Sequence, residues 1–351
     1  MLSARAWTCA TLALALAGRV GVATAAQCTM ASVAAWPVRL EHGHLLVDGT
    51  INARKIGAML DTGGGTLILR PAAQRLGLVT REVRGRRAFG VGGETHVQST
   101  RVDELTIGKM TRTNWRVMVA GENALGGAVD VILGEDFFDQ LDVEFDLAHG
   151  VVRLFQTTGC EGRPLAYWAT QGADEVDFVP YYDAEWRVIV RVSVNGRVLD
   201  AELDSGSNIS VLDKPVAAQL GITPDSPGVS FAGRGGGLGG KPVDYWMAPL
   251  QSFTIGNETI SDTAIRFADL WKDATYTPAA SHVPRRIANT PALLLGADFL
   301  RAHRVLIAHS QRKLYFTYEG GPVFAPHVAR QAVPDRTTDA GGAKAPAEAD
   351  K

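Results

Sequence analysis

The sequence predicts an all-β protein folded as two similar halves, and three observations carry that prediction. Two passages 143 residues apart (204 − 61) read alike, "INARKIGAMLDTGGGTLIL" through Asp61 and "VNGRVLDAELDSGSNISVL" through Asp204. Strand-like apolar runs dominate the chain, and only short helical segments interrupt them. Each half closes on an apolar triplet followed by glycine, "VILG" at Gly134 and "LLLG" at Gly296. Self-similarity on this scale marks one unit used twice.

Bulk composition narrows the partners. The 351 residues are 46% apolar and 21% charged, ordinary for a globular protein with a sizeable core. With 35 basic and 37 acidic residues the net charge is −2, which gives no reason to expect nucleic acid or an anionic membrane as a partner.

Taken in order, residues 1–26 read as a signal peptide. Arg5 supplies the positive start, Trp7 to Ala17 the apolar stretch and "ATAA" ending at Ala26 the cleavage site, although Arg19 interrupts the pattern. No later stretch approaches the roughly 20 apolar residues that span a bilayer, and Gln27-Cys28 is a poor lipoprotein acceptor. The mature chain is therefore expected in the periplasm or outside the cell, without stable membrane insertion. Its charge becomes 33 − 37 = −4, and its remaining cysteines are Cys28 and Cys160. An oxidising compartment would pair them; two free buried thiols are the alternative.

The first lobe is expected over 27–158. Asn52 marks a hairpin turn nine residues before Asp61, as Asn195 does before Asp204. Short helices start at Pro71 and Pro215 and stop at Gly77 and Gly221. Glycine-rich segments follow, 88–96 with Gly90, Val91, Gly92 and Gly93, and 231–241 with Gly233, Gly235 and Gly236. "ELTIGK" and "SFTIGN" mark a further matching strand and turn, and a final hairpin follows each closing glycine. Residues 159–178 read as a connector and 179–325 as the second lobe. The second lobe carries a polar insertion around Trp271 that reads as a surface loop. Residues 326–351 have too little apolar content to pack and read as a disordered tail.

These motifs carry a resemblance. Asp61-Thr62-Gly63, Asp204-Ser205-Gly206, the two glycine-rich segments and the closing Gly134 and Gly296 resemble the retropepsin/pepsin superfamily of aspartic proteases, in a single-chain bacterial two-lobe version. The resemblance covers roughly residues 40–320 and implies two β-barrel lobes with the active-site cleft between them. It implies that Asp61 and Asp204 are catalytic. It further implies that Thr62 and Ser205 brace the two loops and that the glycine-rich segments are flaps over an extended peptide substrate. Gly63 and Gly206 would let backbone approach the carboxylates. Two close carboxylates cannot both ionise cheaply, so they share a proton and activate a water between them. No metal and no cofactor is needed, and one chain supplies both acids, so a monomer is expected. A peptide-binding protein on the same fold, without catalysis, is the alternative.

The halves differ at the motif. Asp204 reaches Ser210 in six residues, whereas Asp61 reaches Thr66 in five, with glycine at 64 and 65. Gly64 has no hydroxyl to match the one Ser207 is expected to offer Asp204, so the two acids are expected to be inequivalent. Other residues read as bland. His42 and His44 are solvated loop residues, with no accompanying ligand pattern for a metal. Asp136 and Asp298 cap the helices after the closing glycines, and Arg86-Arg87 is surface charge or a contact for an acidic substrate.

Overall fold

A computed structural model describes residues 27–122, 125–180, 187–276, 283, 285–287 and 290–326. The expected signal peptide, all of the expected tail except Pro326, and part of the insertion after Trp271 lie outside the described residues. Alternation of apolar and polar residues produces the long strand Gly93–Ile107, which buries one face and largely exposes the other, and Val243–Ile255 is its second-lobe counterpart, with most of its residues buried or half-buried. They pair with Met110–Ala120 and Glu258–Ala268 as extended hairpins.

The motif strands are different, being buried on both faces at their inner ends. Arg54–Leu60 and Arg197–Leu203 run inward to the two aspartates, and their last residues are buried on both sides. The closing triplets explain why. Val131–Leu133 lies parallel to Arg54–Leu60 and antiparallel to Leu67–Leu69, so the triplet threads between the two limbs of the Asp61 loop. Leu293–Leu295 threads the Asp204 loop in the same way. A strand with neighbours on both edges and core on both faces has no polar side to show, hence the uninterrupted apolar sequence.

Each lobe closes into a six-strand ring. In the first, His44–Ile51, Arg54–Leu60, Val131–Leu133, Leu67–Leu69, Met110–Ala120 and Gly93–Ile107 complete the circuit through the pairing Thr50↔Thr106. The second is built identically and closes through Val243–Ile255 and Glu258–Ala268. Asn52 and Asn195 take positive φ of 48° and 49° at their turns. Their carboxamide oxygens accept from Glu104 N–H and from Gln251 and Ser252 N–H, pinning each hairpin to its neighbour. The helices Arg70–Arg75 and Lys214–Gln219 begin at the prolines and end at Gly77 and Gly221, both left-handed.

The final hairpins do not stay within their own lobes. A six-strand sheet runs in the order Thr29–Pro37, Val151–Thr158, Asp142–Asp146, His303–Ala308, Lys313–Tyr318 and Asp174–Asp177. Its central pairing, Val143↔Ile307, joins the halves. The connector contributes the last strand. Within this sheet the buried Glu144 accepts from Arg153 (2.5 Å), Arg304 (2.8 Å) and the Tyr167 hydroxyl (2.5 Å). Cys28 and Cys160 form a disulfide that ties the edge strand to the connector. Among the described residues no helix is long and apolar enough to cross a membrane.

Candidate active site

The two aspartates end equivalent strands and meet at the floor of a cleft of about 1150 Å³ lined by both lobes. Glycine permits the approach. A Cβ on Gly63 would lie 2.6 Å from Asp204 Cγ, and one on Gly206 would lie 2.4 Å from Asp61 Cγ. No larger residue fits at either place.

The loops are locked by a reciprocal set of bonds. The Thr62 hydroxyl donates to the Leu203 carbonyl (2.6 Å) and accepts from Ser205 N–H (3.0 Å). The Ser205 hydroxyl donates to the Leu60 carbonyl (2.9 Å) and accepts from Thr62 N–H (3.0 Å). Both side chains are buried, so each bond forms away from competing water. Each loop is also held from below. A Cβ on Gly134 would lie 2.2 Å from the Gly64 carbonyl oxygen, and one on Gly296 would lie 2.4 Å from that of Ile209. Thr66 and Ser210 hydroxyls accept from Gly134 and Gly296 N–H, both at 2.9 Å.

Asp136 and Asp298 correct the expectation of helix caps. Gly134 and Gly296 occupy the cap positions, with no side-chain cap bond. Asp136 instead accepts from Thr66 N–H (2.6 Å), and Asp298 from Ser210 N–H (2.8 Å) and the Ser210 hydroxyl (2.6 Å). The two carboxylates brace the far ends of the aspartate loops. Asp298 also accepts from Phe299 N–H, the one local bond of the kind expected.

The aspartates are inequivalent for a reason other than the one expected. Asp61 accepts from Gly63 N–H (3.0 Å), whereas Asp204 accepts from both Gly206 N–H (2.9 Å) and Ser207 N–H (3.1 Å). The Ser207 hydroxyl does not reach Asp204; it donates to the Ile209 carbonyl at 2.7 Å. The longer second loop therefore supplies one extra backbone amide, and no side chain. Burial pushes the Asp61 carboxyl well above the usual range, and the neighbouring Asp204 charge adds to the shift. Burial also raises Asp204, against the pull of the Ser207 amide and of the hydrogen bond between the two carboxyls. Both shifts favour keeping a proton on the pair, since two buried carboxyls so close cannot both ionise cheaply.

Several groups around the pair were not singled out by the sequence. Glu202 lies two residues before Asp204, is 2% exposed, and stands 3.3 Å from Arg187 Nε. Burial raises its pKa to about 8. Glu135 follows Gly134 and is pushed to about 9 by burial and by the Glu202 charge. Both read as neutral strand or helix residues because nothing local shows which way they point. His44 also departs from expectation. It lines the cleft instead of facing solvent, with its Nδ1 unpartnered and its pKa lowered chiefly by burial. Arg187 and His44 each stand 17 residues before their aspartate (204 − 187, 61 − 44), a spacing the repeat contained. Trp271, at the base of the insertion, lines the cleft and donates to the Pro291 carbonyl. The base of that segment is therefore cleft wall, where a surface loop was expected.

The glycine-rich segments cover the cleft from opposite sides and touch. Gly237 and Gly239 N–H donate to the Val91 carbonyl (3.2 and 3.1 Å), and Lys241 N–H to the Gly92 carbonyl (3.0 Å). Gly90, Val91 and Gly92 sit at the contact, and Gly93 begins the outgoing strand. In the second lobe the tip lies further along. Gly233 and Gly235 belong to the incoming strand, which ends at Gly235, Gly236 follows it, and Gly237 and Gly239 make the contact. The second turn is longer than the first, so its tip lies beyond the fixed offset of the repeat.

A model of the aspartyl protease family matches the chain twice, over residues 47–137 and 190–299, together more than half its length. No curated protein matches the chain closely enough to count as a relative. Each match spans one aspartate strand, its loop and the closing triplet that threads it, and the two lie in the two rings. This chain therefore belongs to the aspartyl protease family, with two retropepsin-like lobes on one polypeptide.

Proposed function

We propose that the protein is an exported, monomeric endopeptidase that hydrolyses peptide bonds with a water activated between Asp61 and Asp204. The observation that carries this reading is the reciprocal Thr62–Ser205 brace, with each motif glycine pressed against the opposite aspartate. A binding surface does not need two buried carboxyls forced together at a cost in desolvation.

The ionised carboxylate takes a proton from water as the oxygen attacks the scissile carbonyl carbon. The protonated partner gives its proton to the carbonyl oxygen, so a neutral tetrahedral diol forms. Collapse breaks the C–N bond, a proton passes to the leaving nitrogen, and the pair returns to holding one proton. Closed flaps exclude bulk water during these steps. An extended peptide fits beneath them as an added strand, bonded through its backbone. The Cys28–Cys160 disulfide supports an oxidising location.

The test uses the mature protein, a degenerate peptide library and a range from acidic to neutral pH. Cleavage abolished by Asp61→Asn and by Asp204→Asn is the expected result. Cleavage that survives both substitutions sinks the shared pair, and peptide binding by an inactive parent favours a non-catalytic binding protein.

A further inference from the structure

The cleft walls are built from equivalent positions of the two lobes but from different chemistry. Met59 and Glu202 each stand two residues before their aspartate, opposite Ile132 and Leu294 in matching parallel pairings. Met118 and Arg266 stand opposite Leu67 and Val211, again in matching pairings. Val97 and Tyr245 each lie ten residues before the isoleucine of a Thr-Ile-Gly turn (107 − 97, 255 − 245). Met59, Glu202, Met118, Arg266, Val97 and Tyr245 all line the cleft. At each of these three positions the first lobe presents an apolar side chain and the second a polar or charged one.

Within the polar wall, Arg266 stands out. Its side chain is half-buried, and among the described residues it makes neither an ion pair nor a hydrogen bond. The other ionisable groups of the cleft mostly have a neighbour of the opposite type. Glu202 has Arg187 at 3.3 Å, Arg234 has Asp244 at 2.5 Å, and Arg87 has Glu94 at 3.5 Å. Arg86, just before the first flap, has among the described residues only the Met118 sulfur. Among the described residues the cleft thus offers two guanidiniums without a carboxylate, one of them partly withdrawn from water. A planar guanidinium in that position gains most from a carboxylate, which it binds through two parallel bonds. Tyr245, close enough to feel the Arg266 charge, adds a hydroxyl to the same wall.

We infer that Arg266 is a specificity-determining residue: it binds the carboxylate of an Asp or Glu side chain beside the scissile bond, while the Met59–Met118 wall takes an apolar side chain. The inference rests on the endopeptidase reading and names its substrate class, a peptide with an acidic and an apolar residue flanking the cleaved bond.

Its test separates binding from cleavage. Reduced-amide peptides, with a CH2–NH group in place of the scissile amide, are prepared with Leu at one central position and Glu or Gln at the other, in both orders. Affinity is measured by calorimetry for the parent, Arg266→Met and Arg266→Lys. Met is the residue at the equivalent first-lobe position, so that variant keeps a side chain this strand tolerates. The parent is expected to bind the Glu peptide roughly 10- to 100-fold tighter than its Gln partner in one of the two orders. Arg266→Met should erase the difference and Arg266→Lys should keep part of it. Equal affinities in the parent, or a preference that survives Arg266→Met, would overturn the inference. A preference in binding with no cleavage of the corresponding ordinary peptide leaves this assignment standing and removes the endopeptidase reading.

Discussion

Replacing Ser205 with alanine tests whether the brace between the loops holds the site together. The substitution deletes one oxygen from a side chain that is fully buried. It removes the donor to the Leu60 carbonyl and the acceptor for Thr62 N–H. Two backbone groups lose partners where no water replaces them, at about 1–3 kcal/mol each. The expected loss is about 3 kcal/mol, a large share of the 5–15 kcal/mol that typically holds a folded protein. Urea unfolding followed by tryptophan fluorescence would show it as a lower midpoint with an unchanged slope. Thr62→Val, which keeps the shape and removes the mirror-image pair of bonds, should cost a similar amount. The double variant should cost less than the sum, since both act on one contact. Peptidase activity should fall in each, because the brace sets the spacing of Asp61 and Asp204. A loss for Ser205→Ala below about 0.5 kcal/mol, the scale of an ordinary surface change, would refute the reasoning.

Three further outcomes follow from the geometry. Ser207→Ala should leave the pH–rate profile in place, because the amide of residue 207 and not its hydroxyl reaches Asp204; a displaced acidic limb in peptidase assays would contradict this. Glu135→Gln should flatten the pH dependence of stability. The folded carboxyl keeps its proton to about pH 9, while an unfolded glutamate loses it near pH 4.3. The parent's stability from this group is therefore complete below the unfolded value and is lost between the two, by up to about 1.4 kcal/mol per pH unit. Denaturant titrations from pH 4 to 9 should show the variant gaining on the parent as pH rises. Removing the disulfide with Cys28→Ser and Cys160→Ser opens a loop of 132 residues, which chain entropy values at about 5 kcal/mol; thermal unfolding should fall by a matching amount.

Much of this architecture was legible because repetition exposes it. Asp61, Thr62 and Gly63 gain meaning only beside Asp204, Ser205 and Gly206, and the closing triplets betray their double burial by having no polar residue. The turn asparagines were legible too, since few side chains tolerate positive φ. What stayed hidden depends on direction in space. Asp136 has a sequence fit for a helix cap, and only the fold shows that it reaches the Thr66 amide instead. Ser207 had the expected hydroxyl, but a nearer carbonyl at Ile209 captured it. Glu202 was invisible because an acid inside an apolar strand reads as the solvent face of an alternating one. The second flap was misplaced because a run of glycines offers no marker for where its turn falls.

The sheet that joins the lobes through Val143 and Ile307 has a consequence for symmetry. Two identical chains meeting across such a seam would have to present the same wall twice, either Met59 facing Met59 or Glu202 facing Glu202. A single polypeptide lifts that restriction. Each side of the cleft becomes free to specialise, and a peptide bound as proposed would meet different neighbours on either side of the aspartates. Separated halves would lose this, and each would also expose the unpaired edge of Asp142–Asp146 or His303–Ala308, an open invitation to pair with a copy of itself.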